Sequence, residues 1–164
     1  MGCGYSFKCG KCNYSARVLS GVGFLFPAVY EEAIQKGKAG ELGDYIERFL
    51  KEHPEGALDV SRTPYQCRKC GKLTSELNLA MYLPKSRDYK KEEKGRWSIA
   101  YPGEGKEYVG PGELKNRYKI FKIHPHYCEQ CGSRMKKLSE KEMEAGVKCP
   151  SCGEMMQMEL LFWD

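Results

Sequence analysis

Apolar positions recur at helical spacing in the first third of the chain and alternate in strand fashion at several places after it. Phe26, Val29, Tyr30, Ala33 and Ile34 fall on one helical face behind the entry Phe24-Leu25-Phe26-Pro27, where Pro27 suits a first turn and Gly37 a stop. A second helix is sharper: Leu42, Tyr45, Ile46, Phe49 and Leu50 make one stripe, with Asp44, Glu47, Arg48, Lys51 and Glu52 off it and Pro54 and Gly56 closing it. That stripe is expected to pack on the protein's own core, and His53, at the end of this helix, suits the negative end of its dipole. Strand periodicity is predicted over residues 14–22, at Leu77, Leu79, Met81 and Leu83 before Pro84, and at Tyr118, Ile120 and Ile123. A last strand follows at Met156, Met158, Leu160 and Phe162, with one wetter face. Ser139 and Glu142 have capping-box spacing and predict a short helical turn over residues 139–145. Residues 85–96 are charged and read as a linker or exposed loop. Residues 97–112 are rich in glycine and proline, with a hairpin through Trp97, Ile99, Tyr101 and Tyr108 as the alternative to a loop.

Composition adds a need for staples. The chain has 164 residues, 41% of them hydrophobic, and lobes this small bury little apolar surface. Nine cysteines are the candidates. No run is apolar enough to span a bilayer, and residues 1–8 lack the apolar core of a secretory signal. The expectation is therefore a cytoplasmic, reducing setting with no membrane partner, in which paired cysteines are metal ligands or redox groups rather than disulfides.

Eight of the nine cysteines form four Cys-x-x-Cys pairs: Cys9/Cys12, Cys67/Cys70, Cys128/Cys131 and Cys149/Cys152. The residue after each pair is Asn13, Gly71, Gly132 or Gly153, the types that best accept a left-handed backbone. A metal knuckle needs such a turn, because its backbone N–H groups then point at the sulfurs. Phe7, Tyr65, Tyr127 and Val147 lead into the four pairs. Two knuckles supply the four ligands of one structural site, so four knuckles make two sites. Spacing favours joining Cys128 and Cys131 to Cys149 and Cys152, with 17 residues between the inner cysteines. Cys9 and Cys12 are then expected to meet Cys67 and Cys70 across 54 residues that contain the two helices.

The segments Cys9-Gly10-Lys11-Cys12-Asn13, Cys67-Arg68-Lys69-Cys70-Gly71, Cys128-Glu129-Gln130-Cys131-Gly132 and Cys149-Pro150-Ser151-Cys152-Gly153 resemble the knuckles of the zinc-ribbon family, which are similar to those of rubredoxin. The opening Gly4-Tyr5-Ser6-Phe7-Lys8-Cys9 resembles uncharacterised bacterial zinc-ribbon proteins. The resemblance covers residues 118–164 well, 5–83 in part and 85–117 not at all, and Asn13 and the long first insertion depart from the commonest pattern. It implies short antiparallel strands around each metal. The expected fold class is α+β, with a zinc-ribbon-like module and helical insertion at 1–84, a linker or hairpin at 85–117 and a C-terminal ribbon at 118–164.

Zinc ribbons serve nucleic-acid contact, docking and plain stabilisation, so the fold does not settle the role. The expected cofactors are two Zn²⁺ ions, with iron the alternative, because four thiolates suit both. A four-thiolate site has no open position for substrate, which argues against an enzyme and leaves no small-molecule substrate in view. The formal charge of +5 falls to +1 once eight thiolates and two divalent ions, together −4, are counted. Basic residues still concentrate in residues 114–141, where Lys115, Arg117, Lys119, Lys122, Arg134, Lys136, Lys137 and Lys141 outnumber Glu129 and Glu140. Tyr118, Phe121 and Tyr127 interleave with them, so a nucleic-acid surface is the alternative to a protein-interaction adaptor. An iron electron carrier of rubredoxin type is the third reading. Cys3 falls outside the four Cys-x-x-Cys motifs, and His124 and His126 flank Pro125 just before Cys128 as candidate extra ligands.

Overall fold

The computed structural model describes residues 2–86 and 107–163. Along the chain these form β1 (Gly2–Lys8), β2 (Ser15–Ser20), α1 (Phe26–Lys38), α2 (Asp44–Glu52), β3 (Ala57–Leu58), β4 (Arg62–Cys67), β5 (Leu73–Leu77) and β6 (Met81–Pro84). After residue 106 come α3 (Pro111–Arg117), β7 (Tyr118–Lys122), β8 (Met135–Lys137), α4 (Glu140–Glu144) and β9 (Gln157–Trp163). The fold class is α+β, with small antiparallel sheets as expected. The hairpin expected through Trp97, Ile99 and Tyr101 lies outside the described residues.

Contacts divide the chain into two units, both discontinuous: Met1–Gly23, Arg62–Leu77 and Pro125–Asp164 in one, Phe24–Ser61 and Asn78–His124 in the other. Their bounds differ from the successive segments 1–84, 85–117 and 118–164 suggested by sequence, because strands distant in sequence pair with one another.

In the first unit two three-stranded sheets share one plan. β1 and β2 form a hairpin and β9 adds antiparallel to β1, giving the order β2-β1-β9. β4 and β5 form a second hairpin and β8 adds antiparallel to β4, giving β5-β4-β8. The sheets are tied together by a bridge between Gly21 and Arg62 and by the Ser75 hydroxyl donating to the Leu19 carbonyl at 2.7 Å. The core holds Tyr5, Phe7 and Val18 of the first sheet against Leu73, Met143 and Val147. The α4 turn forms as its capping box predicts: the Glu142 N–H donates to the Ser139 hydroxyl at 3.3 Å, and the Ser139 N–H donates to the Glu142 carboxylate at 2.9 Å.

In the second unit α2 buries Ile46, Phe49 and Leu50, the heart of the predicted stripe, while Tyr45 stays exposed. Gly37 does not stop α1, which runs on to Lys38. A Cβ on Gly37 would lie 2.7 Å from the Leu50 Cδ1 and 3.1 Å from the Ile46 Cγ2, so the glycine lets α2 approach. The strand expected from Leu77 to Leu83 is broken. Leu79 takes φ +57 and Asn78 is buried with its side-chain Oδ1 accepting from the Ala80 N–H at 3.2 Å, so β5 ends in one unit and β6 begins in the other. The three-stranded sheet of this unit has the order β3-β6-β7. Residues 110–112, expected to be turn, instead open α3 with the Gly110 N–H donating to the Glu113 carboxylate at 3.1 Å.

Candidate metal centres

Each Cys-x-x-Cys pair sits on a turn of the same construction. The first cysteine's N–H donates across the turn to a carbonyl five residues on: Cys9 to Tyr14 and Cys67 to Lys72, each at 2.9 Å, Cys128 to Ser133 at 2.9 Å and Cys149 to Glu154 at 2.7 Å. The N–H of Gly71, Gly132 and Gly153 returns to the carbonyl of the first cysteine at 3.1, 2.8 and 2.9 Å. That return requires a left-handed residue, and φ is +57 at Asn13, +74 at Gly71, +67 at Gly132 and +75 at Gly153. The turn aims N–H groups at sulfur. Those of Lys69 and Cys70 each lie 3.4 Å from the Cys67 Sγ.

Two groups of four sulfurs result, each within 4.8 Å: Cys9, Cys12, Cys149 and Cys152, and Cys67, Cys70, Cys128 and Cys131. This corrects the pairing expected from spacing. The outer knuckles meet each other and the inner knuckles meet each other, so one centre is nested inside the other in sequence. Strand pairing is the reason. β1 runs into the first knuckle and β9 runs out of the fourth, and their register puts Lys8 beside Gln157. β4 runs into the second knuckle and β8 runs out of the third, with Cys67 beside Met135. The 17-residue interval that suggested a local site instead carries β8 and α4 from one sheet to the other.

Both groups fit a divalent ion held by four thiolates. The sulfurs of Cys9 and Cys152 are 3.5 Å apart, and those of Cys12 and Cys149 3.4 Å. In the second group Cys67 and Cys131 are 3.4 Å apart, Cys70 and Cys128 3.6 Å, and Cys70 and Cys131 3.7 Å. A tetrahedron of sulfurs at the usual zinc–sulfur distance has edges of about 3.8 Å, close to these. No two sulfurs of either group are at bonding distance, so no disulfide competes for these ligands. The groups compete for protons. The Ser133 N–H holds the Cys131 thiol down at about 6. The Tyr14 N–H lowers the Cys12 thiol, but the neighbouring Cys149 and Cys152 thiols outweigh it and push the group up to about 12. A cation would relieve that competition by taking thiolate from every member.

The second-centre surroundings hold a pair that sequence reasoning missed. His126 is buried, its Nδ1 lies 3.0 Å from the Glu76 carboxylate, and its ring lies 4.1 Å from that of Tyr65. It therefore braces the sheet under the knuckles and joins neither sulfur group. Nothing in the spacing of Glu76 and His126 signals this contact. Cys3 and His124 also lie outside both groups. The two centres are neighbours: a Cβ on Gly71 would lie 3.1 Å from the Pro150 Cβ, and Cys70, Gln130, Pro150 and Ser151 line one groove.

The basic residues are divided. Lys115 and Arg117 on α3 and Lys119 and Lys122 on β7 belong to the second unit, and Arg134, Lys136 and Lys137 to the first. Lys136 pairs with Glu142, and the Lys122 ammonium sits 3.3 Å from the centre of the Tyr45 ring. No helix among the described residues is long and apolar enough to cross a membrane. The chain matches no family model, no curated protein and no solved structure.

Proposed function

We propose that this chain is a structural zinc protein, with one Zn²⁺ in each four-cysteine group, and that it acts through its surface as a protein-interaction adaptor rather than as an enzyme. The observation that carries the reading is the closure of both groups: four thiolates fill a tetrahedral ion and leave no position for substrate or water. The knuckle N–H groups offset the charge of such a centre and hold it rigid, which suits stabilisation rather than turnover. Exposed apolar side chains support a docking role, among them Ile120 and Ile123 in one unit and Leu160 and Phe162 in the other. Elemental analysis of the native chain tests the metal assignment: two zinc ions and a colourless protein are expected, and a coloured protein holding iron would replace it with an electron carrier. Cross-linking of the metal-loaded chain in its native extract tests the adaptor role. One stoichiometric protein partner is expected, and recovery of the chain alone would remove the role.

A nucleic-acid role is the second reading, favoured by the exposed run of Lys115, Arg117, Lys119 and Lys122 along α3 and β7. Salt-dependent binding of generic single-stranded DNA or RNA would support it, and no binding at low salt would sink it.

A further inference from the structure

β7 is the last strand of its sheet, paired with β6 on one side and, among the described residues, with nothing on the other. Natural edge strands are kept short, bulged or charged, because an open row of N–H and C=O groups invites another strand. β7 is short and charged, and its register with β6 shifts where Met81 pairs with Lys122 and Tyr82 with Ile120, but it also carries large apolar side chains in water. Ile120 is 58% exposed and Phe121 45%, and Ile123 just beyond the strand is 66% exposed. Lys119 and Lys122 flank Ile120 and Phe121, Lys115 and Arg117 precede them on α3, and β7 itself holds no acidic residue.

We propose that the outer edge of β7 is the docking site of an extended peptide in which acidic and aliphatic residues alternate, added to the sheet as a fourth strand. Main-chain hydrogen bonds to the open edge would provide affinity and the side chains on alternate faces selectivity. Charge complementarity picks the acidic partner, since both charged side chains on β7, Lys119 and Lys122, are cationic. The aromatic rings argue against a nucleic acid at this place. Phe121 is already stacked on Phe49, with centroids 5.3 Å apart, and touches His53, while the Tyr45 ring is covered by the Lys122 ammonium. What remains open is aliphatic, which suits a peptide side chain better than a base. The inference rests on the adaptor reading and names its surface.

The test is selection of a displayed library of random decapeptides on the metal-loaded chain, followed by binding of the enriched peptides to variants. Peptides alternating Val, Ile or Phe with Glu or Asp are expected. Their affinity should fall at least tenfold in Lys119→Glu and in Ile120→Asn, both exposed positions, with the far-ultraviolet circular dichroism unchanged. The largest amide chemical-shift changes on binding should fall at residues 119–123. Enrichment of no peptide, or of basic or helical ones, overturns the proposal, as does unchanged affinity in both variants. A dimer of the chain dissolved by Ile120→Asn would show a second copy on the edge, and an oligouridine competing for it a nucleic acid; either also overturns it. A cross-linked partner retained by both variants would remove this edge and leave the adaptor role standing, whereas loss of all partners from the unaltered chain would remove both.

Discussion

Replacing Gly71 by alanine should destabilise the metal-bearing unit more than the same change at the other knuckle glycines, and the difference measures how the two centres meet. Gly71 has φ +74, and placing a Cβ in the left-handed region costs roughly 1–2 kcal/mol. The new methyl would also lie 3.1 Å from the Pro150 Cβ and 3.3 Å from its Cα. Pro150 is rigid and belongs to the fourth knuckle, so relief requires the knuckles to separate by a few tenths of an ångström, and overlap of this kind adds about 1 kcal/mol. Gly132 and Gly153 are internal controls. Their φ values are +67 and +75, and a Cβ on either meets nothing within 4 Å, so they bear the backbone cost alone. Urea unfolding followed by circular dichroism, at one fixed free-metal concentration, should rank Gly71→Ala below the two controls by about 1 kcal/mol. Equal losses at all three positions would refute the contact between the second and fourth knuckles.

Asn13 is the one knuckle residue with a Cβ in this conformation, so Asn13→Gly should be neutral or stabilising by up to about 1 kcal/mol, and a clear loss in the same assay would show that its side chain has another role. Phe49 is buried between α2 and β7, and Phe49→Ala should cost about 3–5 kcal/mol and loosen Phe121, read from thermal unfolding and aromatic proton shifts. The Lys136 ammonium, with the N–H and hydroxyl of Ser139, holds the Glu142 carboxyl down at about 2 against an ordinary 4.5. A lowered folded value means that its stabilising contribution is present above pH 4.5 and lost as the pH falls toward 2. Carboxyl ¹³C shifts should therefore show Glu142 still ionised at pH 4.5, and Lys136→Met should raise its protonation part of the way toward that pH, because the Ser139 N–H and hydroxyl still favour the carboxylate.

The elements whose neighbours lie close in sequence were legible in the chain. α2 follows its stripe, α4 its capping box, and the four knuckles the Gly or Asn after each second cysteine, because these signals act over a few residues. The partners of the knuckles were not. The interval from Cys131 to Cys149 looks like a self-contained site, yet pairing of β1 with β9 places Cys9 beside Cys152 across 143 positions. Alternation at Met156 and Met158 marks a last strand without saying which strand it joins, and its partner β1 was not among the strands expected from the sequence. Leu79 hid a break between β5 and β6 inside good strand periodicity, since a left-handed leucine leaves no trace in a pattern of apolar positions. The candidate basic surface was read from a continuous segment, whereas the chain passes from one unit to the other between His124 and Pro125.

The nested pairing of the centres is open to direct measurement by metal content. Two double variants suffice, Cys12→Ser with Cys152→Ser, and Cys12→Ser with Cys70→Ser, each purified from zinc-supplemented growth and analysed for metal per chain. The first removes two ligands from one centre and should retain one ion per chain. The second removes one ligand from each centre and should retain less than the first, with both centres weakened. The reverse order, with the Cys12 and Cys70 variant keeping one full ion and the Cys12 and Cys152 variant losing both, would contradict the nested arrangement and restore two successive sites.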